Sequence, residues 1–107
     1  MADQKKTRRE ILEEFLARNP NDAFTRYGLA MECMNAGDAA AAEAHFRNLL
    51  DSNADYVPAY LMYAQLLARE SRNHEACRVL TSGIAAATQQ RNDHARSEME
   101  SLLNELT

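Results

Sequence analysis

Residues 37–46 read "GDAAAAEAHF", with five alanines in ten positions just ahead of Phe46. Alanine is the best helix former, and its small side chain also suits a position where two helices nearly touch. A Gly-Asp pair is typical of a turn that ends one helix and caps the next. The stretch therefore predicts either a helix packed very closely on a neighbour or a disordered alanine tract.

The sequence on both sides has helical patterning. Apolar residues recur at helical spacing, β-type alternation is absent, and the chain has 3 Gly and 2 Pro. Turn-forming segments interrupt the pattern, and they predict an all-α protein of six helices with short connections and antiparallel neighbours. The expected N-caps are Asn21 or Asp22, then Asp38, then Ser71 or Asn73, and finally Asp93.

A repeat appears when the sequence is compared with itself at an offset of 34. Ala42 then aligns with Ala76, and Phe46 aligns with Leu80. The other matched pairs are Pro20 with Ala54, Leu29 with Tyr63, Ala30 with Ala64, Cys33 with Leu67, Gly37 with Ser71, and Leu50 with Ile84. A 34-residue helix–turn–helix period is the signature of tetratricopeptide arrays. Because the alanines recur in phase with it, the disordered tract is excluded.

On these residues the chain resembles the tetratricopeptide repeat family. The resemblance implies an α-α superhelix with repeats at 23–56 and 57–90, an N-terminal half-repeat helix at 1–20 and a capping helix at 91–107. The positions that match the family's packing motif are Leu29, Ala30, Ala42 and Phe46 in the first repeat, and Tyr60, Tyr63, Ala64, Ala76, Leu80 and Gly83 in the second. Ala42 and Ala76 are expected to face the first helix of their own repeat at close range.

Two positions depart from the family pattern. Arg26 stands where the first repeat's opening aromatic belongs, and Ala54 replaces the turn proline. A rival register for the first repeat uses Phe24 as the aromatic and Gly28 as the glycine. The constant offset favours the register built on Leu29 and Ala30.

The capping helix is amphipathic. Its inner stripe holds Ala95, Met99, Leu102, Leu103 and Leu106, and its outer face holds Arg96, Glu98, Ser101, Asn104 and Glu105. The outer face resembles the solvated surface with which these arrays end.

The resemblance implies a concave groove that binds a peptide or a helix of a partner protein. Its predicted lining is apolar and rich in methionine: Phe24, Tyr27, Met31, Met34 and Asn35, followed by Leu61, Met62, Gln65 and Arg69. The alternatives are that the stripe is buried within the chain, or that it is covered in a homodimer of a small scaffold subunit. Tyr27 and Met31 occupy the clamp positions with which one subclass grips chaperone tails, so that ligand is not expected.

Composition excludes several classes of partner. The net charge of -4 argues against a nucleic-acid surface, and the basic segment Lys5–Glu10 is expected to be a solvated helix start. The charged first residues lack an apolar h-region and no apolar run approaches ~20 residues, so we expect neither a signal peptide nor a membrane-spanning helix. Cys33 and Cys77 have no CxxC spacing, which favours reduced thiols in a cytoplasmic protein. A subunit of a larger envelope-assembly or secretion machine remains a third class of function.

Catalytic motifs are missing. His45, His74 and His94 lack metal-binding spacing, and the sequence has no Walker loop, GxSxG or GxGxxG. The pairs Glu13–Glu14 and Glu98–Glu100 have the pattern of surface charge. We therefore expect neither an enzyme nor a bound metal or cofactor, and a catalytic or metal-binding role is the remote alternative.

Overall fold

The computed structural model describes residues 5–107, which form six α-helices and no strand. The helices are α1 Arg8–Arg18, α2 Ala23–Asn35, α3 Ala39–Ser52, α4 Val57–Arg69, α5 Asn73–Gln89 and α6 Asp93–Leu106. Each connection has only three or four residues. The predicted all-α fold with six helices is confirmed, while the first four residues of the predicted 1–20 segment lie outside the described residues.

The chain divides into two compact units, Met1–Arg47 and Asn48–Thr107, with the division inside α3. In the N-terminal unit α1 packs on α2. An ion pair between Arg9 Nη1 and Asp38 Oδ2, 3.1 Å apart, also ties α1 to the turn before α3. The buried side chains of this unit are Leu16, Thr25, Leu29, Ala30, Cys33, Met34, Ala42 and Phe46.

In the C-terminal unit α5 packs against both α4 and α6, and α4 also touches α6. Its core is built mainly from α4, and Met99 is the fully buried residue of α6. The buried side chains are Leu49, Val57, Ala59, Tyr60, Tyr63, Ala64, Leu66, Leu67, Ala76, Leu80, Ala87 and Met99.

Three helices end in the same way. Gly37, Ser71 and Arg91 have positive φ values of 82°, 62° and 57° after α2, α4 and α5. After α2, the Gly37 N–H donates to Met34 O and the Asp38 N–H donates to Cys33 O, at 3.1 and 2.9 Å. The same two bonds recur after α4 and α5, and together they form the Schellman motif. The residue after each positive-φ position is the N-cap of the next helix.

This shared turn corrects two of the predicted caps. Because Ser71 takes the left-handed position, the N-cap of α5 is Arg72 rather than Ser71 or Asn73. A guanidinium has no acceptor, so Arg72 pairs with Glu75 instead of capping the backbone. At α6 the cap is Asn92 rather than Asp93, and its Oδ1 accepts from the Ala95 N–H at 3.1 Å.

The N-caps of α3 and α2 agree with the predictions, which gave Asp38 for α3 and either Asn21 or Asp22 for α2. Asp38 Oδ1 accepts from the Ala41 N–H at 3.2 Å, as predicted for the alanine-rich helix. Asp22 is the N-cap of α2, but its carboxylate accepts from the Thr25 hydroxyl at 2.9 Å and not from the backbone.

The repeat is also visible in individual hydrogen bonds. Arg26 Nη2 donates to Pro20 O at 3.2 Å, and the Tyr60 hydroxyl donates to Ala54 O at 2.6 Å. The donors Arg26 and Tyr60 are 34 positions apart in the sequence, and so are the acceptors Pro20 and Ala54. Arg26, which departs from the aromatic pattern, therefore makes the same bond to the preceding turn as the tyrosine of the next repeat.

The ends of α1 and α3 match at the same offset. The side-chain amides of Asn19 and Asn53 donate to the carbonyls of Phe15 and Leu49, at 3.0 and 3.4 Å. The end of α1 thus has the local structure expected for the second helix of a preceding half-repeat.

Candidate functional site

Helix α5 lies very close to its neighbours at Gly83. A Cβ built on Gly83 would lie 2.5 Å from Tyr60 Cβ and 2.6 Å from Met99 Sδ. A side chain here would push Tyr60 and its helix α4 away from α5, whereas the flexible Met99 thioether could shift. The glycine therefore lets α5 lie against α4, which forms one wall of a surface cleft.

This α4–α6 cleft has a volume of about 350 Å³. Its lining residues are Leu61 and Gln65 from α4, and Glu98, Ser101, Leu102 and Glu105 from α6. Leu61 and Leu102 are half-buried, while Glu98 and Glu105 are exposed. The cleft therefore offers apolar surface beside carboxylates and hydroxyl and amide groups.

The sequence analysis did not predict the α6 side of this cleft. It placed Glu98, Ser101 and Glu105 on an outer, purely solvating face of α6, whereas the structure places them beside Leu61 and Gln65. These positions follow helical spacing with Leu102, so they form one stripe along α6. The signal available in the sequence was Leu102, which was assigned to the apolar stripe of α6 but also adjoins Glu98, Ser101 and Glu105 at helical spacing.

The predicted groove residues of α4 have different surroundings. Leu61 and Gln65 line the cleft. Met62 is half-buried and does not line it, and Arg69 is exposed at the end of α4. Only two of these four residues are therefore brought together with α6.

The predicted groove residues of α2 belong to the N-terminal unit. Phe24 is 74% exposed, Tyr27 and Met31 are half-buried, and Asn35 is exposed. Met34 is only 6% exposed, which corrects its assignment to an accessible surface. The helical period places Met34 close to Ala30, so it shares the buried side of α2.

The residues assigned to repeat packing are buried. Exposure is 7% or less for all of them that have side chains: Leu29, Ala30, Ala42, Phe46, Tyr60, Tyr63, Ala64, Ala76 and Leu80. In the rival register Phe24 would be in the core, but its side chain is 74% exposed, more than those of Ile11 and Phe15. Gly28 has room for a Cβ, which would lie 3.9 Å from Leu12. These exposures favour the register built on Leu29 and Ala30.

The half-buried His45 contacts Arg26. Arg26 Nη1 lies 3.3 Å from His45 Nδ1. An arginine only donates, so Nδ1 is the acceptor of a neutral imidazole. Burial, followed by the positive charge of Arg26, lowers the pKa of His45. The contact binds α2 to α3, and its geometry is that of a structural histidine.

The two thiols and the other two histidines do not form a reactive or metal-binding cluster in residues 5–107. Cys33 and Cys77 are both free, and burial raises the pKa of the Cys33 thiol, which makes it a poor nucleophile. His74 and His94 are exposed. Across residues 5–107, no three His, Cys, Asp or Glu side chains are grouped so that they could hold a metal ion.

Within the same residues, none of the helices has the length and apolarity needed to cross a membrane.

Comparisons of the sequence and of the structure with known proteins identify several similar proteins. A search against protein-family models finds no match. A TPR repeat-containing protein of Pseudomonas aeruginosa is 26% identical over 97 residues, which cover 91% of this chain and 92% of that protein.

Two solved structures of a tetratricopeptide repeat domain protein from Salinibacter ruber are similar. The solution structure is 31% identical, covers 81% of this chain and 88% of its own, and gives a TM-score of 0.78. The crystal structure is 30% identical, with coverages of 79% and 96% and a TM-score of 0.76. A Bordetella parapertussis protein, 24% identical with coverages of 95% and 89%, shares the fold at a TM-score of 0.82.

Proposed function

This chain belongs to the tetratricopeptide repeat family, and we propose that it is a non-catalytic interaction module that binds a helix of a polypeptide partner in the α4–α6 cleft. The family uses helical repeats to present surfaces to other proteins. The repeat bounds 23–56 and 57–90 are part of this proposal, and so is a cytoplasmic location.

The observation that carries the proposal is the composition of the cleft. Two leucines from different helices lie half-buried at one surface, and exposed carboxylates adjoin them. Apolar surface bordered by polar groups is the common arrangement of a protein-binding site. An amphipathic helix is the ligand that such a groove accepts, with its apolar face on the leucines.

In the N-terminal unit, the accessible part of the predicted Met-rich groove is Phe24, Tyr27 and Met31. Phe24 is exposed, Tyr27 and Met31 are half-buried, and methionine side chains adapt to irregular partners. We propose that they form a binding surface of that unit, and that Met34 has no direct part in it.

The proposal is tested by affinity retention from a lysate of the source organism. Ser101→Trp fills the cleft from an exposed position, and Leu61→Glu places a charge on its apolar surface. We expect each change to abolish retention of a polypeptide that the wild type holds. Ser82→Trp, at an exposed position on α5, is the matched control and should retain it. Equal retention by wild type, cleft variants and control, all with unchanged helicity, would exclude the cleft.

A further inference from the structure

The helix α1 carries a second exposed apolar surface. Ile11 and Phe15 are 55% and 41% exposed. They are four residues apart, so they lie on one side of the helix. Leu16 is buried on the other side of α1, so Ile11 and Phe15 are turned away from the core of their unit.

Arginines flank this apolar pair. Arg8, Ile11, Phe15 and Arg18 follow helical spacing, and we call these four residues the outer face of α1. Arg8 Nε lies 3.1 Å from Glu32 Oε2, but its side chain is 72% exposed and stays accessible. Glu14 borders the face and is paired with Lys6 at 2.7 Å, which reduces its repulsion of an acidic partner.

The α4–α6 cleft has the opposite charge pattern. Along α6 it presents Glu98, then Leu102, then Glu105. At a rise of about 1.5 Å per residue the two carboxylates are separated by about 10 Å along the helix, and Arg8 and Arg18 by about 15 Å. The long arginine side chains can span the remaining few ångströms at each end.

We propose that the outer face of α1 in one copy of the chain docks in the α4–α6 cleft of a second copy. Arg8 and Arg18 then meet Glu98 and Glu105, and Ile11 and Phe15 cover Leu61 and Leu102. Charge complementarity on both sides of an apolar centre fixes the register of this contact. Each copy carries both surfaces, and we propose that the contact is made twice, once in each direction, in a dimer. The inference rests on the proposed function, because it names the helix that occupies the same cleft.

Sedimentation equilibrium of four preparations tests the inference. The first variant is Arg8→Glu with Arg18→Glu, and the second is Glu98→Lys with Glu105→Lys. The matched control for the first variant is Arg78→Glu with Arg91→Glu, which lowers the net charge by the same four units at exposed positions. We expect the wild type and the control to dimerise, and each of the two interface variants to dimerise about tenfold more weakly or worse.

Mixing the two interface variants is the decisive arm. Their reversed charges complement each other at one contact and the native pair remains at the other, so the mixture should regain the dimer. Wild-type dimerisation should also weaken as salt is raised. A wild type that stays monomeric near millimolar concentration, or a mixture that remains monomeric, would overturn the inference.

The result also separates this inference from the proposed function. A monomeric wild type that still loses a lysate polypeptide through Ser101→Trp would refute self-association and leave the cleft as a binding site. A monomer with no retained polypeptide would refute both.

Discussion

Gly83 is the residue on which the geometry of the C-terminal unit depends most directly. Gly83→Ala gains about 1 kcal/mol of helix propensity. It also places a methyl group 2.5 Å from Tyr60 Cβ, which cannot move without its helix. Overpacking of this kind costs about 1–3 kcal/mol or more. A contact this short with an atom next to the backbone of α4 puts the cost at the upper end of that range, so we expect Gly83→Ala to lower the free energy of unfolding by a net ~1–2 kcal/mol in urea denaturation.

Gly28→Ala is the matched control for that substitution. Its Cβ would meet Leu12 at an ordinary contact distance of 3.9 Å. We expect it to raise stability by about 0.5–1 kcal/mol through helix propensity alone. Equal stabilisation by both substitutions would refute the close contact at Gly83.

His45 predicts a pH dependence of stability. Its folded-state pKa lies below the ordinary 6.5 because of burial and the charge of Arg26. The unfolded chain therefore binds the proton more readily than the folded one. The stability that neutral His45 provides is complete above pH 6.5 and is lost as the pH falls through the folded pKa.

The measurement is urea denaturation of the wild type and His45→Gln at a series of pH values. The variant should have a shallower loss of stability just below pH 6.5. The depressed carboxyl pKa values of Glu10 and Asp38 add their own losses only in more acidic solution. Parallel pH profiles for the two proteins in that window would show that His45 does not titrate differently on folding.

Residue types predicted the packing positions better than the polar contacts. The small size of Gly83 is itself the signal of the close contact with Tyr60, and Ala42, also chosen for its small size, is fully buried. Nothing in the identity of Arg26 indicates that its guanidinium takes the place of a tyrosine hydroxyl. That equivalence depends on where the Pro20 carbonyl points, which is a property of the folded turn.

At the scale of the element, three-residue turns decide which side chains cap a helix. One residue of the turn takes the left-handed conformation, and the next becomes the N-cap. A sequence cannot place this position when several capping residues are adjacent, as in Asn92-Asp93. The prediction of Asp93 was wrong by one residue for that reason.

The cap of α6 can be tested by a pair of substitutions. Asn92→Ala removes the acceptor of the Ala95 N–H and should cost about 1 kcal/mol of stability. Asp93→Ala removes a first-turn charge and its exposed 3.7 Å ion pair with Arg96. Both effects are weakened by salt, so its cost should be about 0.3–1 kcal/mol at low salt and less at high salt. If Asp93→Ala proves the more damaging of the two in urea denaturation, the assignment of Asn92 is incorrect.

The two sides of α6 also show the limit of periodicity. The spacing of its apolar residues predicted an amphipathic helix, and Met99 is fully buried. Periodicity does not reveal which elements flank the polar side. Only the packing of α6 beside α4 makes Glu98 and Glu105 part of a cleft.

At the scale of the whole molecule, the 34-residue period was sufficient to predict the architecture, because each repeat must bury its apolar faces on the next. The partner could not be predicted from the same pattern. The period constrains the residues that pack the repeats, but it places no such constraint on surface residues such as those that line the cleft. Leu61 and Gln65 were predicted through the family resemblance, and the α6 side of the cleft required the structure.

Site-specific photocrosslinking in cells of the source organism tests most directly whether the α4–α6 cleft is the binding face. A benzophenone amino acid replaces Gln65 inside the cleft, and a second protein carries it at the exposed position of Arg78 on α5. We predict a discrete adduct with one polypeptide from position 65, identified by mass as a second copy of the chain or as another protein, and none from position 78. The absence of an adduct from position 65, or the same adducts from both positions, would contradict binding in the cleft.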